Sequence, residues 1–228
     1  MMQETFGQGA GEAHILVSHT HWDHIQGFPF FAPVYVPGNQ FTIWGPHPGL
    51  RQRFRRQHHL ANFPVPLEAI PAQLRFKKLQ EDCPKNVAGF QVTPHKLSHP
   101  GDAYAFRVER GGKTFVYASD GSYADMTAEQ HEAYHEFYRD ADVLVFDAHF
   151  ALVDSIEKSD WGHSSSFIGV DLAIKAGVKQ LLLFHHDPYS NEGQLQSICD
   201  NTLRYLEHVG RGSQLQIGLA REGLEINL

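Results

Sequence analysis

His19-Thr20-His21-Trp22-Asp23-His24 puts four side chains that ligate first-row metals into six residues. The apolar run Ile15-Leu16-Val17 precedes it and reads as a buried strand, so the cluster falls in a strand-to-helix loop at a sheet edge. Three imidazoles and a carboxylate so placed cannot all be buried and satisfy one another. A cation is the partner that pairs with all of them. The bland alternative, a polar loop that is histidine-rich by chance, does not account for this density. The whole chain carries 16 histidines in 228 residues, and imidazole is the commonest transition-metal ligand.

Moving outward, the composition sets bounds. A 25.7 kDa chain with 42% hydrophobic residues is long enough to bury one substantial core, so a single domain over 1–228 is expected. No apolar run approaches the roughly 18 residues that span a bilayer, and Met1-Met2-Gln3-Glu4-Thr5-Phe6-Gly7 lacks the basic-then-apolar pattern of a secretory signal. The two cysteines, Cys83 and Cys199, have no metal-finger partner at short spacing, and a reducing cytoplasm is the expected setting. The net charge of -7 disfavours a broad phosphate-binding surface, which needs many Lys and Arg contacts.

Short apolar runs alternate with amphipathic segments along the chain. Strands are expected at 41–44, 74–79, 90–97 and 103–110, with Gly111-Gly112 turning the last into a hairpin with 114–118. Further buried strands are expected at 143–146 and 181–184, and two short ones, 215–219 and 224–228, at the end. Helices are expected at 50–60, from the capping pair Thr127 and Gln130 to about 139, at 164–176 before Gly177, and along 195–209 before Gly210. Strands mixed with helices imply a layered α/β arrangement.

The first motif with its leading strand resembles the metallo-β-lactamase superfamily, and later motifs of that family follow in order. Ser98-His99-Pro100-Gly101 resembles its third-histidine motif, Val116-Tyr117-Ala118-Ser119-Asp120 its bridging-aspartate strand end, and Leu182-Leu183-Phe184-His185-His186-Asp187-Pro188 its final-histidine strand end. The resemblance implies a four-layer αββα sandwich. It also implies two divalent metal ions. His19, His21 and His99 would hold the first, Asp23, His24 and His185 the second, and Asp120 would bridge them. Either His185 or its neighbour His186 fits the last position, and His185 follows the apolar run directly. Zinc suits the histidine-rich set and manganese the carboxylates. Only about 13 residues precede His14, fewer than the family's usual opening strands, so an N-terminally shortened form with an open sheet edge, and a homodimer through that edge, are expected.

The order around Ser98-His99-Pro100 resembles the phosphodiesterase branch of the superfamily, which includes ribonuclease Z and cyclic-nucleotide enzymes. In that branch a Gly-His-Ser/Thr element, matched here by Trp161-Gly162-His163-Ser164-Ser165-Ser166, supplies a proton to the leaving oxygen. A histidine at a helix entrance beside a dinuclear cation is well placed for such general-acid work. Asp147, at the end of the 143–146 strand, is a candidate partner for His163 or for a metal ligand. The implied reaction is hydrolysis of a phosphodiester by a metal-held hydroxide, with Asp23 as orienting base and His163 as acid. Small diesters, 3′,5′-cyclic nucleotides among them, are the expected substrates, with Phe54, Arg55 or Tyr189 as a binding wall. His58 and His59 extend the basic run Arg51-Gln52-Arg53-Phe54-Arg55-Arg56, either as a solvated face or as contacts for substrate phosphates. Two rival readings are a transfer-RNA 3′-end endonuclease and a non-catalytic protein that keeps the metal site. The short 46–72 segment shows no RNA-gripping arm, and the acidic charge makes folded RNA the poorer partner. No membrane association is expected.

Overall fold

The computed structural model describes residues 2–123, 126–149 and 162–228, so Trp161 of the Gly-His element lies outside the described residues. Its α/β elements fall into two compact units, Met1–Cys83 and Pro84–Leu228.

In the first unit, helix α1 (Met2–Gly7) leads into strand β1 (Glu12–Leu16), which pairs in parallel with β2 (Gln40–Gly45); β2 in turn pairs in parallel with β3 (Gln73–Lys78). The central β2 is buried along nearly its whole length, as expected of a parallel strand covered on both faces. Two helices follow β1 and β2: the single turn α2 (Trp22–Ile25) and α3 (Leu50–Gln57). Val17, Ile25, Val34, Phe41, Ile43 and Phe54 build the core of this unit. Each large side chain buried there contributes about 1.5–3 kcal/mol.

Of the expected 50–60 helix only Leu50–Gln57 is helical, with His58 as its C-cap, and Phe54 and His58 both point inward. Phe54 is 2% exposed and His58 1% exposed. His58 packs edge-on against Phe28 and Phe63 and places Nδ1 3.0 Å from the Val65 carbonyl. The apolar stripe of α3 wins these positions for the core. Neither Phe54 as a substrate wall nor His58 as a phosphate contact survives that burial.

The second unit is a seven-stranded sheet in the order β10-β9-β8-β7-β6-β5-β4. Its strands are β4 (Lys85–Val87), β5 (Phe90–Lys96), β6 (Tyr104–Arg110), β7 (Lys113–Ala118), β8 (Val143–Asp147), β9 (Gln180–Phe184) and β10 (Gln216–Leu219). Pairing is antiparallel from β4 to β7 and parallel from β7 to β10. Strands β5, β7, β8 and β9 therefore run the same way and deliver their following loops to one edge.

Helices α4 (Ala128–Tyr138), α5 (Ser166–Ala176) and α6 (Glu192–Val209) belong to this unit. Thr127 with Gln130, and Asn191 with Gln194, close reciprocal capping boxes on α4 and α6. Gly177, at φ 68°, ends α5 in the left-handed conformation that a side chain would strain. The main core, with Tyr138, Leu144, Phe146, Val170, Leu181 and Leu183 near its centre, lies among these elements.

Three further details differ from the sequence reading. Helix α5 starts after Ser165 rather than at Ser164. The short strand β4 was not anticipated, being only three residues long. Residues 224–228 form no strand: the Leu224 amide closes a turn onto the Arg221 carbonyl, and Leu224 and Leu228 stay about half exposed. Alternating apolar residues make a strand only with a neighbour to pair, and among the described residues β10 pairs with β9 alone. No described helix is long and apolar enough to cross a membrane.

Candidate metal centre

In the first unit the chain leaves β1 still paired, with the Val17 amide donating to the Trp44 carbonyl, and then turns through the histidine run. His19 is fully buried. Its Nδ1 lies 3.3 Å from Ser18 Oγ, and its Nε2 lies 3.1 Å from His21 Nδ1. The His19 ring meets His21 edge-on at 4.6 Å and His24 at 4.1 Å. His21 is the N-terminal cap residue of α2, which puts Asp23 in its first turn, where a carboxylate suits the helix dipole. His24 Nε2 lies 3.2 Å from Asp23 Oδ2.

Helix α3 secures both flanks of this run. Arg53 Nη1 donates to Thr20 Oγ1 at 3.1 Å, and Gln57 Nε2 donates to the Ile25 carbonyl at 2.6 Å. Spaced four residues apart, the two side chains share one face of the helix. The basic composition of α3 thus serves partly to hold the loop. Sequence reasoning missed both roles because hydrogen bonds to an oxygen more than 30 residues away leave no local pattern.

In the second unit the candidate residues come from four strand ends. Past β5, the His99 Nδ1–H donates to the Gly162 carbonyl at 2.9 Å; a carbonyl can only accept, so Nε2 carries the lone pair. Gly162 must be glycine here. Its φ is 81°, and a Cβ would sit 2.7 Å from His99 Nδ1 and 2.5 Å from Pro100 Cδ. Past β7, Asp120 is buried at φ 61°. Its Oδ2 accepts from Ser119 Oγ. Past β9, His185 is held at φ 55° and places Nε2 3.2 Å from Asp120 Oδ1, while His99 Nε2 lies 3.9 Å from the same oxygen. Positive φ is uncommon for residues other than glycine and marks backbone held by its surroundings. Of the two adjacent histidines, His185 is the one brought to Asp120.

Asp147, at the end of β8, has no exposed surface. Its Oδ2 accepts from His163 Nδ1 at 2.7 Å, and its Oδ1 accepts from the backbone amide of His149 at 3.0 Å. The expected Asp147–His163 partnership is therefore present as a hydrogen bond. In that bond Nδ1 carries the hydrogen. The His163 ring lies 5.0 Å from His185 and 5.2 Å from His99. His149 went unassigned in the sequence. Its ring stacks on His163 at 4.5 Å, and its Nδ1 lies 3.0 Å from the His185 carbonyl. The signal that could have found it is its position two residues past Asp147, just beyond a buried strand. Burial first, and the neighbouring His163 charge second, push the His149 imidazole below its ordinary range. Burial likewise lowers His186.

These donor sets fit divalent cations. Imidazole nitrogens and carboxylate oxygens bind zinc at about 2.0–2.2 Å in a tetrahedron, which separates two ligand atoms by about 3.3 Å. The 3.1 Å between His19 Nε2 and His21 Nδ1, and the 3.2 Å between His185 Nε2 and Asp120 Oδ1, match that edge. Asp120, Asp147, His163 and His185 bring ligand atoms within 4.8 Å of one another in the second unit.

Comparison with known proteins agrees. The family model of the beta-lactamase superfamily domain matches residues 7–186. Ribonuclease Z of Methanosarcina mazei is 35% identical over 147 residues, which is 63% of this chain but only 39% of that protein. Ribonuclease Z of Crocosphaera subtropica is 25% identical over 233 residues, covering 82% of this chain and 72% of that one. Among solved structures, the metallo-beta-lactamase fold protein YhfI from Bacillus subtilis is similar with a TM-score of 0.69 and 25% identity, over 92% of this chain and 75% of that one. Unliganded yeast PDE1 has a TM-score of 0.69 at 16% identity, over 97% of this chain and 70% of its own. The short form of human tRNase Z has a TM-score of 0.61 at 19% identity, over 94% of this chain and 78% of its own. The last two likenesses concern the fold alone.

Proposed function

Because this chain belongs to the beta-lactamase superfamily, we propose that it is a metal-dependent hydrolase of phosphodiester bonds, acting on small diesters such as 3′,5′-cyclic nucleotides. The observation that carries the reading is the Asp147–His163 pair, hydrogen-bonded at 2.7 Å with the His163 ring 5.0 Å from His185. Following the family motifs, His19, His21 and His99 would hold one cation and Asp23, His24 and His185 a second, with Asp120 shared; zinc is the proposed metal for so many imidazoles. Two such cations, when bound, polarise a phosphoryl oxygen and lower the pKa of water.

The chain's own residues do the rest. Asp23 accepts the proton of the attacking water, and the buried Asp147 carboxylate holds His163 by its Nδ1–H. In its charged form His163 then carries a second proton on Nε2, which passes to the departing sugar oxygen. Gly162 fixes His99 through its carbonyl, so the proton donor and a candidate ligand are set by consecutive residues.

Two relatives named ribonuclease Z favour an RNA substrate as the second reading. The surface charge supports the smaller substrate. Of the basic helix α3, Arg53 is bonded to Thr20, while Arg51 and Arg55 pair with Glu68, in a chain of net charge -7. Three of the four arginines of α3 are thus engaged, which weakens that helix as a contact for a polyanion. The deciding assay compares cyclic AMP and cyclic GMP with a precursor transfer RNA, each with zinc and with manganese. Turnover of a cyclic nucleotide is expected; efficient cleavage of the RNA with neither cyclic nucleotide hydrolysed would overturn the proposal in favour of the second reading.

For assembly we propose a homodimer through β1, which among the described residues pairs with β2 alone and so presents an edge for pairing. Sedimentation that finds only monomer at high concentration would contradict it.

A further inference from the structure

We propose that His149 is a positioning residue that holds the His163 ring in the orientation from which it gives up its proton; this rests on the reading of His163 as the proton donor. The Nδ1 hydrogen bond to Asp147 tethers one corner of the His163 ring, and the His185 ring stacks against it at 5.0 Å. His149 adds to this hold in two ways. Its backbone amide donates to Asp147 Oδ1 at 3.0 Å while Asp147 Oδ2 takes the His163 proton, so both carboxylate oxygens are fixed. Its ring lies against His163 at 4.5 Å with the planes 25° apart.

The His149 ring is itself anchored. Its Nδ1 lies 3.0 Å from the His185 carbonyl, and since a carbonyl only accepts, Nδ1 carries the hydrogen. One residue thus ties the β8 end, the candidate acid and the β9 end together. Side chains held by packing and by hydrogen bonds of this kind are what keep a reacting group in productive geometry, and displacement by about 1 Å costs as much as 10²-fold in rate.

The face and the donor of His149 can be separated. His149→Phe keeps a flat ring and loses the Nδ1–H. His149→Asn keeps a donor near the Nδ1 position and loses the ring face. With metal-loaded protein, cyclic AMP supplies an alkoxide leaving group that needs a proton, and bis(p-nitrophenyl) phosphate supplies one that does not. His149→Ala is expected to lower kcat on cyclic AMP by about ten- to a hundredfold, with KM and nitrophenyl turnover little changed. His149→Phe should recover most of the loss and His149→Asn little of it. In metal-depleted protein, ring-nitrogen NMR signals of His163 should move in His149→Ala and return in His149→Phe.

Equal losses on both diesters, or unmoved His163 signals in His149→Ala, would overturn the inference; the ring spectra decide it even where neither diester is turned over. His163→Ala separates the two claims. If that variant loses both diesters equally, the proton-donor reading falls. If it spares the nitrophenyl diester while His149→Ala keeps full kcat on cyclic AMP, only the role of His149 falls.

Discussion

The two compact units present their candidate ligands in opposite ways. In the first, four candidate ligand residues stand within six consecutive positions, and two ring nitrogens already lie 3.1 Å apart. Ordinary hydrogen bonds from one helix hold the loop. In the second, His99, Asp120 and His185 come from the ends of three strands. Asp120 and His185 are carried on left-handed backbone at φ 61° and 55°. A local cluster is aimed by its spacing, whereas a dispersed one is aimed by sheet topology, here with left-handed backbone at two of its positions.

The largest effect should come from the dispersed set. Asn tolerates left-handed backbone, so Asp120→Asn removes the charge while sparing the turn. Turnover is expected to fall by more than the about 10–100-fold that follows loss of a group merely supporting a ligand, with metal content reduced. A variant with ordinary turnover in a steady-state assay would remove Asp120 from the site and break the contrast.

A smaller effect is expected where the local cluster is only supported. Gln57→Leu leaves the Ile25 carbonyl without its 2.6 Å donor, and metal affinity should weaken by about 10–100-fold. Competition with a chromophoric chelator measures it. Unchanged affinity would mean that the histidine run organises itself without α3.

These expectations divide along the line between what the sequence showed and what it hid. The run from His19 to His24 was legible alone, since density in six residues needs no fold. His99, Asp120 and His185 were legible only through resemblance to a family, because nothing local joins residue 99 to residue 185. Most strands and all the long helices were readable from apolar runs and caps such as Thr127 with Gln130. Residues 224–228 were misjudged because pairing, which they lack, makes a strand. His58 and Phe54 were misjudged because a basic run hid the apolar stripe of α3. Arg53 and Gln57 were invisible because each acts through a contact distant in sequence, and His149 showed only by its place two residues past Asp147.

The smallest effect belongs to a carboxylate outside both ligand sets. Asp142, buried in the second unit, takes the Thr114 amide at 2.8 Å and the Lys179 ammonium at 2.7 Å. Lys179 first, and the Thr114 amide second, hold its pKa below the ordinary carboxylate range. A depressed folded pKa means that its stabilisation is complete above the unfolded pKa and is lost as pH falls through the folded one. Asp142→Asn should therefore cost about 1–2 kcal/mol at pH 7, a gap that closes in acid while the metal site at neutral pH is unaffected. Urea denaturation at several pH values checks it. A gap that persists below the carboxyl's titration would refute the charge argument.

The central proposal is a metal-dependent hydrolase that binds two ions per chain. It is tested most directly by titrating zinc into metal-depleted protein while following bis(p-nitrophenyl) phosphate hydrolysis. The account predicts no turnover without metal and full turnover only at two equivalents per chain. Turnover in the depleted protein, or a plateau at one equivalent with no second ion bound, would contradict it.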